Sequence, residues 1–200
     1  MTGAPRPIAA IVLAAGAGRR MGGRPKALLP IDGEPFLARV TRGCREGGCE
    51  PIYVVVPPAP PELLALARSL GSHAVVNPEP EHGMFSSVQR GISALLETGD
   101  PPAGCILFPV DHPRVQSSTL RSLVEALPEA GAMRWVRPVF ARRGGHPVLI
   151  PREALRQLLD RDPGEPLRDA LRGIGLEPFD APVEDPGILA NLNLPDDLAS

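Results

Sequence analysis

The sequence predicts an α/β fold, a single three-layer domain with a mostly parallel sheet, and three observations predict it. Short apolar runs rich in β-branched residues alternate with helical patterns of about a dozen residues, the mark of parallel βαβ units with right-handed crossovers. A glycine-rich basic loop, LAAGAGRRMGGRPK from Leu13 to Lys26, follows the first of these runs directly. The 200 residues show no internal repeat and no linker, and the 26 prolines and 21 glycines punctuate apolar segments instead of forming one tract. That length suffices for one sizeable core, so the domain is expected to span residues 1–200.

Ile8–Leu13 reads as a buried strand. Asp32-Gly33 is a turn, and a helix follows from Pro35 or Phe36 to about Cys44, with Pro35 suited to a first helical position. Ile52–Val56 is a β-branched run of strand length. Pro60–Leu70 is a helix ended by Gly71. His73–Asn77 is the next strand, stopped by Pro78. Phe85–Thr98 repeats Val88, Ile92 and Leu95 at helical spacing. Cys105–Val110 is a strand and Ser117–Leu127 a helix with a serine available as its cap. Ala132–Val139 and His146–Ile150 form two strands around an Arg142–Gly145 turn. The helices Arg152–Asp160 and Glu165–Ile174, a strand Leu176–Phe179 and a closing segment Pro186–Leu198 complete the chain.

Composition narrows the class. Hydrophobic residues make up 43% and charged residues 22%, with a net charge of −2. That balance excludes a broad nucleic-acid-binding or acidic-membrane surface. No apolar run approaches the roughly 20 residues that span a bilayer. The N-terminal apolar run is short and lacks a signal-peptide pattern, so a cytoplasmic protein is expected. Cys44, Cys49 and Cys105 match no zinc spacing and read as reduced, small apolar residues.

In open α/β sheets, ligands sit beyond the carboxyl ends of the strands. That rule gathers the glycine loop, Asn77, Asp111 and the segment before Asn193 on one side. The loop has the makings of a phosphate cradle, with glycines that admit close backbone approach and Arg19, Arg20, Arg24 and Lys26 as cations. Lys26 is the only lysine in the chain, every other basic residue being arginine. A compact ammonium meets a phosphate differently from a planar guanidinium, so this exception points to a chemical requirement. The spacing fits neither G-x-G-x-x-G, because Met21 stands where the last glycine would, nor a P-loop, because Lys26 lies between Pro25 and Ala27. Asp111 ends an apolar strand at the same edge, where a carboxylate suits Mg2+. His112 is given no acid–base role. Gly83-Met84-Phe85-Ser86-Ser87 opens a helix, Gly144-Gly145-His146-Pro147 reads as a turn, and Glu184 and Asp185 are expected in solvent.

LAAGAGRRMGGRPKALLP, GMFSSV, DHP, GHPVL and the terminal NLNLPDDL together resemble the molybdenum-cofactor nucleotidyltransferases, most of all the cytidylyltransferase branch. The resemblance runs from about Ile8 to Leu198. It implies a Rossmann-like nucleotidyltransferase fold, Mg2+, and an NTP, CTP or GTP, whose α-phosphorus is attacked with loss of pyrophosphate. The acceptor it implies is a phosphorylated small molecule of molybdopterin type, and the protein partner a molybdoenzyme or its maturation factor. Carried onto this chain, Leu13, Ala14, Ala15, Gly16 and Gly18 wrap the nucleotide, with Asn77 and Ser87 near the nucleoside. Arg20 and Lys26 hold its phosphates, Asp111 and Asn193 bind the metal, and Gly145, His146 and Pro147 face the acceptor. The cytidylyl branch usually shows D-x-D-T-P-E-D where this chain has Asn191, Asn193 and Leu194, a pattern closer to the guanylyl branch. Guanylyl transfer, activation of a sugar or alditol phosphate, and non-catalytic nucleotide binding therefore stay open beside cytidylyl transfer.

Overall fold

A computed structural model describes residues 6–16 and 25–192. Strand β1 (Ile8–Leu13) is buried along its whole length. Ile8, Ala10 and Val12 face one layer while Ala9, Ile11 and Leu13 face the other, the two-residue alternation of a strand covered on both sides. Two short strands, β2 (Pro30–Ile31) and β3 (Glu34–Pro35), form a separate hairpin. Asp32 and Gly33 turn it with φ of 51° and 79°, the conformation that a two-residue hairpin loop demands. Helix α1 (Phe36–Glu46) starts after Pro35 and buries Phe36, Leu37, Val40 and Cys44.

The chain continues through β4 (Cys49–Val56), α2 (Pro61–Ser69), β5 (His73–Val76), α3 (Met84–Leu96) and β6 (Gly104–Pro109). It then forms α4 (Ser117–Ala130), β7 (Arg134–Phe140), β8 (Arg143–Gly144), β9 (Val148–Pro151), α5 (Arg152–Leu159), α6 (Leu167–Gly173) and β10 (Glu177–Pro182). The main sheet has the order β10-β7-β9-β6-β1-β4-β5, with β8 paired to β7. Strand β9 runs antiparallel to both its neighbours, and the other strands of that path run parallel. The α/β architecture with a mostly parallel sheet is the one expected.

Helices α1, α2 and α4 cover one face and α3, α5 and α6 the other, giving three layers. Fully buried residues such as Leu37, Leu63, Ile92, Leu95 and Leu120 supply the core, each contributing about 1.5–3 kcal/mol of transfer free energy. The boundaries differ from expectation by a few residues. The one with a physical lesson is α4, which continues past Pro128 to Ala130 instead of stopping at Leu127. Proline there removes one N–H from the last turn, and the Gly131 N–H closes the helix onto the Leu127 carbonyl. Among the described residues no helix is long and apolar enough to cross a membrane.

One consequence of the strand order positions the site. From β1 the chain moves outward to β4 and β5, then returns to lay β6 on the opposite flank of β1. The carboxyl ends of β1 and β6, in register at Leu13 and Pro109, therefore border the switch-point crevice of the sheet.

Candidate active site

The Val110 N–H donates to the Leu13 carbonyl at 3.1 Å, and the Ala14 N–H to the Val55 carbonyl at 2.9 Å. These bonds tie the loop after β1 to the strand ends on both sides. Ala14 and Ala15 are buried, whereas Gly16 is exposed, and among the described residues a Cβ on it would meet nothing within 4 Å. Gly18 and Arg20 lie outside the described residues.

Lys26 begins a single 3-10 turn (Lys26–Leu28) anchored by buried Ala27. Its ammonium lies 3.1 Å from Asp111 Oδ2, with side-chain exposures of 17% and 21%. The other carboxylate oxygen accepts from His112 Nδ1 at 3.0 Å. Burial pushes the Asp111 pKa up, but the His112 hydrogen bond and the charges of His112 and Lys26 outweigh it, leaving the carboxyl below its ordinary value. Asp111 is an anion held by two donors. The main chain is fixed as well, because the Leu192 N–H donates to the Asp111 carbonyl at 2.8 Å. The closing segment therefore reaches the same crevice, with Asn191 exposed beside it; Asn193 lies outside the described residues.

The expected acceptor residues lie next to this centre. The His146 ring is 5.1 Å from that of His112. Gly145 packs so closely on the segment from Pro186 to Leu189 that a Cβ would fall 2.3 Å from the Ile188 carbonyl oxygen. The His146 N–H donates to that same oxygen at 3.0 Å, and the His146–Pro147 peptide is cis. Beyond His146 opens a cleft of about 540 Å³, walled by Met84, Phe85, Trp135, Arg137, Leu167 and Arg168. Burial lowers the His146 pKa to about 4, with the nearby His112 adding to the effect, so the ring facing the cleft is neutral.

Asn77 and Ser87 meet each other, but not Asp111. Asn77 Nδ2 donates to the hydroxyls of Ser86 and Ser87 at 2.9 Å each, and its Oδ1 accepts from the Glu79 N–H at 3.1 Å. Asn77 follows β5, three strands along the sheet edge from β6, about 14 Å by the usual strand spacing. The trio moors the start of α3 to that edge.

Asp185 corrects the sequence reading. It is buried, not solvated, and accepts from the Gln116 N–H (2.8 Å), Thr119 Oγ1 (2.7 Å) and the Gly187 N–H (2.8 Å). One carboxylate thus pins the start of α4 and shapes the turn on which Gly145 rests. The Asp-Pro-Gly string carried that signal, as an Asp ahead of Pro-Gly commonly bonds its own backbone two residues on. His112 was also missed, and nothing in Asp-His-Pro distinguishes a ring turned toward its neighbour from one turned to water.

A mostly parallel sheet with a lysine and an aspartate meeting at its switch point belongs to the class of α/β proteins that bind ligands at the strand ends. The chain belongs to the MobA-like NTP transferase domain family, which it matches over residues 10–179. It is a nucleotidyltransferase of that family. A molybdenum cofactor guanylyltransferase of Pseudomonas paraeruginosa is 30% identical over 96% of this chain and 93% of its own length. A nicotine blue oxidoreductase of Paenarthrobacter nicotinovorans is 30% identical over 72% of the chain and 70% of its own length. A nucleotidyl transferase structure from Methanothermobacter thermautotrophicus, 23% identical, shares the fold with a TM-score of 0.77 over 96% of this chain and 94% of that one.

Proposed function

We propose that this protein transfers a nucleoside monophosphate from an NTP, with Mg2+, to the phosphate of a molybdopterin-type acceptor, releasing pyrophosphate. The observation that carries this reading is the Lys26–Asp111 ion pair at the carboxyl ends of β1 and β6. A cytoplasmic setting suits the three buried, unbridged cysteines.

The residues fit a divalent cation on one condition. Asp111 offers hard oxygen donors, and its Oδ2 already receives a cation in the form of the Lys26 ammonium. Among the described residues no group of three His, Cys, Asp or Glu surrounds it, and Asp111, with Asn193, would hold the ion together with substrate phosphates and water, the usual arrangement for Mg2+. Bound there, the metal supplies charge neutralisation at the α-phosphate.

The acceptor phosphate is already anionic near neutral pH, so its oxygen needs no strong base to attack the α-phosphorus. As that bond forms, the bond from the α-phosphorus to the oxygen bridging it to the β-phosphorus breaks, and pyrophosphate departs. Lys26, together with Arg20, neutralises charge on the phosphates, and the backbone of Ala14–Gly18 approaches them closely. Asn77 and Ser87 set the wall near the nucleoside. Gly145, His146 and Pro147 line the acceptor's approach, where a neutral His146 ring interacts with the phosphate by hydrogen bonding. Positioning and charge neutralisation then account for catalysis, as in phosphoryl transfer generally.

GTP is the favoured donor: the full-length relative is named a guanylyltransferase, and Asn191-Leu192-Asn193 follows that branch. CTP is the second reading, supported by the GMFSSV and GHPVL strings. Calorimetric titration of GTP and CTP in the presence of Mg2+ separates the two, followed by pyrophosphate release with molybdopterin. Tighter binding of GTP, with pyrophosphate formed only when molybdopterin is present, is the expected result. Nucleotide binding that yields no pyrophosphate with molybdopterin would contradict the proposal.

A further inference from the structure

We propose that His112 is a positioning residue, whose Nδ1–H holds Asp111 Oδ1 so that Oδ2 stays aimed at the cation in the crevice. The inference rests on the reading of Asp111 as the carboxylate that receives the metal.

An aspartate's terminal torsion is soft and roughly two-fold, so a carboxylate at a strand end does not choose its own orientation. Here each oxygen has its own partner. Oδ1 accepts from His112 Nδ1 at 3.0 Å, and Oδ2 faces Lys26 Nζ at 3.1 Å. An ionised carboxylate only accepts, so the His112 proton sits on Nδ1. The ring that carries this proton is itself fixed. His112 is 4% exposed and lies against the His146 ring at 5.1 Å. Its N–H donates to the Pro109 carbonyl and its carbonyl accepts from the Val115 N–H, both at 3.3 Å. Because the Leu192 N–H clamps the Asp111 main chain, the carboxylate torsion is the freedom left to remove, and His112 removes it. His112 and His146 also join the two halves of the site: the ring orienting Asp111 on one side packs on the other against the residue that opens into the 540 Å³ cleft.

The test separates the donor from the ring. His112→Phe keeps a ring and loses the donor. His112→Asn loses the ring but puts an amide Nδ2 where Nδ1 was. Mn2+ binding is followed by electron paramagnetic resonance in the presence of GTP and without acceptor, so nothing turns over. Loss of an outer-shell partner typically costs ~10–100-fold in metal affinity. The expected result is a weakening of that size in His112→Phe and a return close to wild type in His112→Asn. His112→Leu replaces the Phe variant if that one does not fold, folding being judged by circular dichroism. Wild-type Mn2+ affinity in His112→Phe would overturn the proposal, as would an Asn variant as weak as the Phe variant. Asp111→Ala is run alongside. If it binds Mn2+ as well as wild type, the reading of Asp111 as metal carboxylate falls and takes the role of His112 with it. If Asp111→Ala loses Mn2+ and His112→Phe does not, the inference about His112 alone fails.

Discussion

Lys26 Nζ and Asp111 Oδ2 stand 3.1 Å apart although 85 residues separate them in sequence. The parallel sheet makes this meeting, because β1 and β6 lie side by side with their carboxyl ends level. The pair is mostly buried, so screening by water and salt is weaker than for the arginine–carboxylate pairs on the surface of α1. In the proposed reaction the pair would exchange partners, phosphates drawing on the ammonium and a divalent cation on the carboxylate.

Asp185 ties the start of α4 to the turn on which Gly145 rests. Its carboxylate accepts three hydrogen bonds while buried, and bonds to a charged group are each worth about 1.5–3 kcal/mol. Asp185→Ala is expected to cost on the order of 3 kcal/mol after local relaxation, lowering Tm by about 6–12 °C at this chain length. Scanning calorimetry checks this, and a variant melting within a degree of wild type would show that these bonds carry no such weight.

His146 makes stability depend on pH in a defined window. Burial first, and then the proximity of His112, lower its pKa from 6.5 to about 4. Between those values the unfolded chain binds a proton that the folded chain does not, so the contribution is whole above pH 6.5 and shrinks as pH falls toward 4. Urea unfolding at pH 7.5 and pH 5 is expected to show lower stability at pH 5. His146→Gln, which has no charge to gain, should flatten that difference; an unchanged pH dependence in this variant would assign it to other groups.

Gly145 has no room for a side chain. A Cβ there would meet the Ile188 carbonyl at 2.3 Å, and a backbone atom cannot swing aside as a flexible side chain can. Gly145→Ala is expected to destabilise by about 1–3 kcal/mol, the usual cost of overpacking. Because the shift falls on the segment carrying His146, the KM for the acceptor should rise more than that for the nucleotide. Steady-state kinetics with each substrate varied in turn reads this split, and equal changes in both KM values would contradict it.

Much of the fold was legible in the sequence, and the reason is physical. Ile8–Leu13 and Cys105–Val110 are continuous apolar runs because strands buried on both faces leave no polar side, and that pattern survives without any tertiary information. The side of the sheet that gathers the glycine loop and Asp111 followed from the rule that ligands sit at the carboxyl ends of parallel strands. Lys26 stood out because it broke a compositional pattern. What sequence did not show were contacts made by tertiary placement: His112 turned onto Asp111, Asp185 bridging Gln116 and Thr119 across more than sixty residues, and Gly145 pressed on Ile188. Each uses residue types that serve equally well in an ordinary turn. The short extension of α4 past Pro128 was hidden for a related reason, since the one N–H that proline lacks there does not stop the Gly131 N–H from closing the helix onto Leu127.

The most direct measurement of the central claim is pyrophosphate release by Lys26→Ala and Asp111→Ala, with Mg2+, GTP or CTP, and molybdopterin. Lys26→Ala removes the cation proposed to meet the triphosphate and Asp111→Ala the carboxylate proposed to hold the metal, and kcat is expected to fall by on the order of 100-fold or more in both, with the fold intact by circular dichroism. Near-normal turnover in the two variants would contradict the assignment of the Lys26–Asp111 pair to the phosphate end of the site.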